Sequence, residues 1–335
     1  MDKNKVLLFL GDVVPYKPLR FRNDLKTVIN LECPIIKGGI PEEGKINLRV
    51  QENYLGDIFG DRLFCVNVGN NHILDYGIEG LSSTINELDK LETQYFGLNK
   101  NNDSRYEPLL VNMGDLNIAF ISAVCSSTSP ILEVDKTFRL SQLDTEALVQ
   151  EIAILRPSVT RIVVYIHWGT EESSYPEPGD IITARRLIDS GADIVIGSHA
   201  HAPQPVERYG KGIIAYNLGN FIMPSLNNIP SYFSGSGEAQ SAYNKSKMPW
   251  NRISWGIAID MNSLEYRVMK YMPLFNRVFK LPFTPLDRYI KMKISPADDN
   301  YEFQISKHLR KRALYRRIRD FIRNPHIPEK IKRMI

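Results

Sequence analysis

The chain has 335 residues, of which 43% are hydrophobic, and this is enough for a substantial core in one large domain or two ordinary ones. No apolar stretch approaches the roughly 20 residues that a bilayer-spanning helix needs. The three cysteines are an odd number without metal-ligand spacing, which argues against a disulfide framework. We therefore expect a globular cytoplasmic protein with reduced thiols.

The formal net charge of +4 is unevenly distributed along the chain. Residues 306–335 contain 11 Lys and Arg against only Asp320 and Glu329, so the basic excess belongs to this tail. The rest of the chain is slightly acidic, and we expect no specific nucleic-acid partner.

Strand-like and helix-like runs alternate from the N-terminus onward, which is typical of an α/β protein. Runs rich in Val, Ile and aromatic residues predict strands at residues 6–10, 27–31, 63–68, 116–124, 161–166, 193–196, 212–216 and 255–261. Helical spacing and capping residues predict helices at 77–91, at 141–155 with Ser141 as N-cap, and at 181–190 with Gly191 closing it. Residues 34–51 and 224–252 are too long for ordinary loops, and we expect lids or disordered segments there.

Four of the six histidines lie in three short polar motifs that each follow an apolar, β-branched run. The motifs are Gly-Asn-Asn-His at 69–72, His-Trp-Gly at 167–169 and Gly-Ser-His-Ala-His at 197–201. Polar side chains at strand ends gather at one edge of a sheet, where α/β proteins place their sites. In an extended segment His199 and His201 point to one side, as two ligands of one metal must. A polar loop that happens to hold two histidines is the alternative.

The first motif offers a metal ligand and an acid-base group. One of its two amide oxygens could bind a metal while His72 donates a proton or steadies an oxyanion. A helix N-cap is the alternative for the amide, and both roles are compatible because Asp75 and Gly77 open the next helix. His167 alone is more often structural in such a position and gains weight only from the other motifs.

Two carboxylates complete the set of donors. Asp12 and Glu32 each end an apolar strand, where a buried acidic side chain is costly unless it ligates or pairs. Turn and capping roles remain the alternative for either one alone. Without a thiolate in the set, the donors favour one or two divalent ions of Mn, Fe or Zn over a closed structural zinc.

The order of several motifs resembles that of the bacterial capsule synthesis family of the CapA/PgsA type over about residues 5–275. The matching segments are Gly11-Asp12, Asn-Leu-Glu-Cys-Pro at 30–34, Asn-Asn-His-Ile-Leu-Asp-Tyr-Gly at 70–77, Gly-Leu-Asn-Lys at 97–100, His-Trp-Gly-Thr-Glu at 167–171, Gly-Ala-Asp at 191–193 leading to His-Ala-His at 199–201, and Tyr-Asn-Leu-Gly-Asn-Phe at 216–221. That family is related to calcineurin-like metallophosphoesterases. The resemblance therefore implies a four-layer α/β sandwich of two facing β-sheets flanked by helices, with metals at the strand ends.

The resemblance also implies roles for individual residues. Asp12 and Glu32 resemble the first and the bridging carboxylate, and Asn71 resembles the amide ligand. The implied histidine ligands are His167 and His199 for one metal and His201 for the other. The implied catalytic group consists of His72, placed to act on the leaving group, Asp75, and Arg49, which could clamp a phosphate or carboxylate.

This sequence departs from the metallophosphoesterase pattern at two positions. Val14 stands where a histidine is usual, so one metal site is expected to lack a nitrogen ligand and to bind its ion more weakly. Glu32 replaces the usual aspartate and lengthens the arm of the bridging ligand. Residues 1–275 are predicted to form the CapA-like domain, and residues 276–335 a C-terminal extension.

Two functions remain open at this point. The first is a metal-dependent phosphoesterase in the biosynthesis of a capsule or other surface polymer, acting on a phosphorylated or anionic polymer or small molecule. The alternative is a non-catalytic metal-containing protein that assists assembly or export of an anionic polymer of the poly-gamma-glutamate type. His72 and His201 are both retained, which favours the enzyme.

We expect the basic tail to form an amphipathic helix. Its apolar positions fall near one helical face, and Lys and Arg cover much of the rest. One interpretation is a terminal helix packed on its own domain. The other is peripheral binding to an anionic membrane at the inner face of the cell membrane.

Overall fold

The computed structural model describes residues 2–100, 105–129, 138–224, 226–232, 239–245, 252–283, 301, 305–310 and 313–314. The chain divides into two compact units, Met1–Met292 and Lys293–Ile335. In the second unit the described residues are helical. Residues 311–312 and 315–335, which include most of the predicted amphipathic helix with its stop at Pro325, lie outside the described residues. Within the described ranges, none of the helices has the length and apolar character needed to cross a membrane.

The first unit alternates strands and helices, as the sequence predicts. Its helices are α1 Leu55–Phe59, α2 Gly77–Lys90, α3 Thr145–Leu155 and α4 Pro178–Asp189. Its strands are β1 Val6–Val13, β2 Lys26–Leu31, β3 Lys45–Ile46, β4 Leu63–Asn67, β5 Gln94–Phe96, β6 Leu109–Met113, β7 Leu116–Val124, β8 Arg161–Trp168, β9 Ile194–His199, β10 Val206–Tyr209, β11 Gly212–Ala215, β12 Asn220–Ile222, β13 Leu226–Tyr232, β14 Ala239–Lys245, β15 Ser254–Asp260, β16 Tyr266–Leu274 and β17 Arg277–Leu281.

The strands form two large sheets. The first has the order β17-β16-β15-β1-β2-β4-β5, with β12 also paired to β1, and the second has the order β10-β11-β9-β8-β7-β6. Strands β1, β2, β4 and β5 are parallel to one another, as are β7, β8, β9 and β11. Parallel strands end at the same edge, so each sheet brings several strand ends together.

The two sheets face each other across one apolar core, and helices cover the outer face of each. Alternate residues of β1 point to opposite sides. Leu7 and Phe9 join Phe120 and Tyr165 of the second sheet, and the ring centroids of Phe9 and Tyr165 are 6.3 Å apart. Leu8, from the other side of β1, packs in the cluster that contains the buried residues of α1 and α2. Helix α4 contacts β9 and β11 of the second sheet. The predicted α/β architecture of two facing sheets flanked by helices is confirmed.

The two long stretches predicted as lids or disordered segments contain strands that pair with each other. Strand β3 lies in the first stretch, and the β13–β14 hairpin lies in the second. Ser231 pairs with Ile46 and Tyr232 with Lys45 in a small antiparallel sheet. Pairing between segments about 180 residues apart leaves no local pattern, so the prediction of irregular structure was wrong here.

Several element boundaries differ from the prediction because local capping chemistry decides them. Ser141 is not the N-cap of α3, since its hydroxyl donates to Asn99 at 3.0 Å. Asp144 is the N-cap and accepts from the Ala147 amide at 3.1 Å. Helix α4 begins at Pro178, which has a φ suited to a first turn. The predicted domain boundary at 275 and the division by compactness at 292 do not coincide, and β17 continues the sheet past the former.

Candidate metal centre

Five of the six predicted ligands come from strands or strand ends of both sheets. Asp12 is near the end of β1, and Glu32 directly follows β2. His167 lies near the end of β8, and His199 ends β9 with His201 two residues later. All five are buried. Because the two sheets face each other, their carboxyl edges bring these donors to one place.

The donors form two groups that share one carboxylate. Glu32, His167 and His199 offer ligand atoms within 4.8 Å of one another, and so do Asp12, Glu32 and His201. The remaining predicted ligand, Asn71, joins the first group through its side-chain oxygen, which lies 2.9 Å from His167 Nε2. This arrangement has the form of a two-ion site bridged by Glu32.

The backbone at the histidine pair differs from the extended geometry that the sequence spacing suggested. His199 has a φ of 91° and His201 a φ of 54°, both in the left-handed region. The two imidazoles belong to different donor groups. This differs from our interpretation of the motif by its spacing, in which both histidines are ligands of one metal. Strained backbone of this kind persists where the surrounding structure holds it, often at functional sites.

The buried carboxylates provide a test of whether a cation fits. Asp12 Oδ2 and Glu32 Oε1 are buried and make no hydrogen bond. Burial raises the pKa of Glu32 well above its usual value, and the neighbouring Asp12 raises it further. Two buried, adjacent carboxylates with unused oxygens are costly unless a cation lies between them. The donor set of carboxylate and imidazole fits a divalent metal ion.

The histidines are held neutral, which is the form that binds metals. Burial lowers the pKa of His167 well below its usual value, and the neighbouring His199 lowers it further. Burial also lowers the pKa of His199 to about 3, with a further contribution from His201. Ser198 Oγ lies 2.9 Å from His167 Nδ1, and this contact orients Nε2 toward the donors.

Three residues that support the ligands were not predicted. They are Ser198, described above, Asn30 and Asn220. Asn30 Nδ2 donates to Asp12 Oδ1 at 2.9 Å and also to Glu32. Asn220 Oδ1 lies 2.8 Å from His201 Nδ1. Asn30 could have been found, because it is two residues before Glu32 and shares its face of the strand. Asn220 could not, because its place beside Asp12 depends on the long-range pairing of β12 with β1.

His72 is the end of a chain of polar contacts next to the donors. Its Nδ1 lies 2.7 Å from Asp75 Oδ2, and Asp75 Oδ1 lies 2.5 Å from Lys45 Nζ. Lys45 also donates to the carbonyl oxygen of Asn71. Burial lowers the pKa of His72, and the Asp75 carboxylate opposes part of this effect. The contact with Asp75 fixes the orientation of the His72 ring and occupies Nδ1. Nε2 is therefore the ring nitrogen left for a reacting group.

The structure distinguishes the two amides of the first motif. The Asn70 side-chain oxygen accepts from the backbone amides of His72 and Ile73, each at 3.0 Å, so Asn70 shapes the turn. Asn71 is then the amide that faces the donors. The capping alternative is wrong for both amides, because α2 begins at Gly77 and its N-cap residue is Tyr76. Metal ligation by Asn71 stays a prediction.

Two other residues stand apart from the donor groups. Arg49 is exposed, and its guanidinium lies 5.1 Å from the centroid of the Tyr76 ring. Val14 is buried in the apolar cluster, and its backbone amide donates to the Ile222 carbonyl at 2.7 Å. Val14 therefore supplies packing and no ligand at the position where the resemblance led us to look for a histidine.

A cleft of about 430 Å³ reaches the donors from the surface. Asn71 and His199 are among its lining residues, together with hydroxyl and acidic side chains that include Thr128, Thr170 and Glu171. The cleft gives a small molecule or a polymer end access to the buried centre.

Two curated proteins similar to this chain have names that refer to capsule or PGA biosynthesis. The capsule biosynthesis protein CapA of Bacillus anthracis is 25% identical over 201 residues, which cover 58% of this chain and 49% of that protein. The PGA biosynthesis protein CapA of Bacillus subtilis (strain 168) is 29% identical over 158 residues, 47% of this chain and 42% of that protein. The chain thus matches about half the length of these curated relatives.

Among solved structures, a 5'-nucleotidase precursor from Thermus thermophilus is similar with a TM-score of 0.40 and 14% identity, over 80% of this chain and 54% of that one. This similarity is too weak to support an inference about activity. The sequence profile of the family described as "Bacterial capsule synthesis protein PGA_cap" matches residues 13–225, a range that includes every predicted metal ligand except Asp12. The chain belongs to this family.

Proposed function

We propose that the chain is a metal-dependent phosphoesterase-like enzyme in the biosynthesis of a capsule or another surface polymer. The observation that carries this proposal is the pair of buried donor groups bridged by Glu32, with His72 beside them. The names of the curated relatives, both of which refer to capsule or PGA biosynthesis, support the biological setting. The proposal includes a phosphorylated or anionic substrate, no specific nucleic acid, and a cytoplasmic location at the inner face of the cell membrane.

The chain's own residues have separate tasks in this chemistry. A divalent ion bound by the two donor groups would supply the positive charge that stabilises a phosphoryl group under attack and would acidify water. Asn30 holds the two carboxylates in place, and Ser198 orients His167. His72 is anchored at Nδ1 by Asp75, whose carboxylate stabilises the imidazolium form. In that form Nε2 carries the proton that passes to the leaving oxygen, and the ring returns to the neutral state that burial favours.

Lys45 contributes by holding the anchor of His72. Its ammonium group pairs with Asp75 and also binds the Asn71 carbonyl, so it connects the proposed acid to the proposed amide ligand. The backbone amide of Leu48 donates to Asp75 Oδ2 at 2.5 Å and completes the support. With its carboxylate fixed on several sides, Asp75 orients the imidazole and is itself a positioning residue.

The alternative proposal is a non-catalytic metal-containing protein that assists assembly or export of an anionic polymer. The cleft argues against it, because Glu171 and Glu177 line the wall next to His199. Carboxylates in that position repel a chain with a negative charge on every residue, such as poly-glutamate, more strongly than a substrate whose charge is confined to one phosphoester. A substrate with a phosphoester at the centre and hydroxyl groups in the cleft matches the lining better.

The test combines metal analysis with a substrate screen on purified protein. We expect hydrolysis of a phosphomonoester or a phosphodiester in the presence of Mn²⁺. His72→Gln should lower the rate by about 100-fold or more while metal content is retained. His199→Ala and Asn71→Ala should each lower bound metal without unfolding the chain.

The outcomes separate the two proposals. Absence of hydrolysis for both ester classes in protein that holds its metal favours the binding protein. Unchanged metal content in both ligand variants contradicts the site itself. Since Val14 supplies no ligand, one ion should be held tightly and a second weakly, and two tightly held ions would show that our ligand set is incomplete.

A further inference from the structure

The turn between β16 and β17 exposes an unusual amount of apolar surface. Phe275 is 82% exposed, Leu274 is 44% exposed and Phe279 is 40% exposed. Tyr16, in the segment that follows β1 and next to Lys17, is 38% exposed. Single exposed apolar residues are ordinary, but a group of aromatic and aliphatic side chains at one hairpin tip indicates contact with another apolar phase.

This surface is firmly attached to the fold. The Arg20 amide donates to the Asn276 carbonyl at 2.9 Å, and the Val278 amide donates to the Arg20 carbonyl at 3.0 Å. Lys17 Nζ donates to the Phe275 carbonyl at 2.8 Å. Phe275 also has a φ of 53°, a backbone conformation that favours glycine or asparagine. The chain therefore holds a large apolar side chain at the outermost point of a turn where a small polar residue is the usual choice.

The charged residues of the two segments that build this surface are all cations. The exposed or half-buried cations Lys17, Arg20, Arg277 and Lys280 surround it. The two segments that build the surface, residues 14–23 and 266–283, contain no Asp or Glu. An apolar tip flanked by cations is suited to the boundary between acyl chains and anionic headgroups. The apolar side chains can contact the acyl chains there, and the cations can contact the lipid phosphates.

We propose that this hairpin-tip surface, formed by Tyr16, Lys17, Leu274, Phe275, Arg277 and Phe279, docks onto an anionic phospholipid bilayer. Phe275 and Leu274 enter the headgroup region, and the four cations contact lipid phosphates. The docking uses the first compact unit and is distinct from the membrane contact predicted for the basic tail. It also stands independently of the proposed phosphoesterase activity.

The sheet places this surface at the same edge as the metal centre. Both β1 and β16 are antiparallel to β15, so they run in the same direction. Leu10, Gly256 and Met269 lie side by side in the register. Asp12 is two residues beyond Leu10, about 7 Å along the strand, whereas Leu274 is five residues beyond Met269, about 17 Å. The tip thus projects past the donor edge, and docking would bring the centre near the headgroups, where membrane-borne phosphoesters are found.

The experiment is co-sedimentation of the full chain with vesicles of phosphatidylglycerol and phosphatidylethanolamine, compared with phosphatidylcholine alone. We expect binding to the anionic vesicles that weakens as salt rises. Phe275→Asn should weaken it by about tenfold, because one aromatic contact is lost and the new residue suits the backbone. The double variant Arg277→Glu with Lys280→Glu should weaken it by about 25-fold or more, at about fivefold for each cation removed.

Matched controls remove similar side chains elsewhere. Ile154→Ser removes an apolar residue that is 71% exposed on α3, and Lys211→Glu reverses an exposed cation in the β10–β11 turn. Both should bind like the original chain, and circular dichroism should show all variants folded. If binding is unchanged in both the Phe275 and the charge variants, the proposal is wrong.

Other occupants of the surface give different results. If light scattering shows that the chain is a dimer which Phe275→Asn converts to a monomer, the surface is an interface between two copies and the lipid proposal is overturned. If neutralising Arg316, Arg317 and Arg319 by glutamine abolishes vesicle binding while the hairpin variants keep it, the tail is the membrane contact. Equal binding to phosphatidylcholine would contradict the role of the cations.

Discussion

Replacement of Glu32 by glutamine should change stability in opposite directions with and without metal. In the metal-free protein the Glu32 and Asp12 carboxylates lie within 4.8 Å of each other in a buried site. Two like charges at this distance repel by about 3.5 kcal/mol at an effective dielectric constant of 20. Because the pKa of Glu32 is raised, proton uptake relieves part of this repulsion. A glutamine keeps an oxygen that can accept from Asn30, so we expect a gain of about 1 to 3 kcal/mol in the free energy of unfolding.

With metal the order should reverse. An ion present at about 100 times its dissociation constant stabilises the original chain by about 2.7 kcal/mol. The glutamine variant loses the ligand that both donor groups share, so metal should add little to its stability. The first unit has 292 residues, for which about 1 kcal/mol corresponds to roughly 1.5 °C in Tm. The variant should melt about 2–5 °C higher than the original chain in EDTA and show almost none of the roughly 4 °C gain on adding Mn²⁺.

Differential scanning fluorimetry in EDTA and in excess Mn²⁺ measures both effects. Asp193→Asn is the matched control, because Asp193 is a largely buried carboxylate that is paired with Arg156 at 2.7 Å. It should lower Tm equally in both buffers. The reasoning is refuted if the glutamine variant melts at a lower temperature than the original chain in EDTA. It is also refuted if Mn²⁺ raises the Tm of both proteins equally, because Glu32 would then not be the carboxylate that the two donor groups share.

Two further predictions concern stability, one at Gly11, next to Asp12 in β1, and one at Asp180 in α4. Gly11→Ala should lower the free energy of unfolding by about 3 kcal/mol, measured from the urea midpoint, because its Cβ would lie 1.8 Å from the Gly219 carbonyl oxygen. Gly38→Ala is the control and should leave the midpoint unchanged, since no atom lies within 4 Å of its Cβ. Burial, and then the Glu177 charge, raise the pKa of Asp180 to about 7 from 3.8. The folded state therefore holds this proton more tightly than the unfolded chain, and stability from this group is greatest below about pH 4 and falls up to about pH 7. Asp180→Asn should remove that fall and raise Tm at pH 8, and an unchanged pH dependence of Tm would contradict the burial argument.

The sequence by itself determined the parts of the structure that have local causes. Runs of Val, Ile and aromatic residues are strands because such side chains pack on a pleated surface. Asp12 and Glu32 stand where two of these apolar runs are interrupted, and both are buried. Burial on both faces of β1 follows from its continuous apolar run. The α/β class and the six candidate ligands could be predicted on this basis, together with the family resemblance.

Tertiary structure alone decided which residues share a centre. Glu32 can be shared by the two donor groups only because the two sheets face each other and bring the ends of β2 and β9 together. Asn70 and Asn71 differ in role because the side-chain oxygen of Asn70 accepts hydrogen bonds within the turn, whereas that of Asn71 does not. The pairing of β3 with β13 and the exposed tip at Phe275 likewise result from contacts between distant segments. Local sequence records what a residue prefers, but the distance between two side chains far apart in the chain is fixed only when the whole core packs.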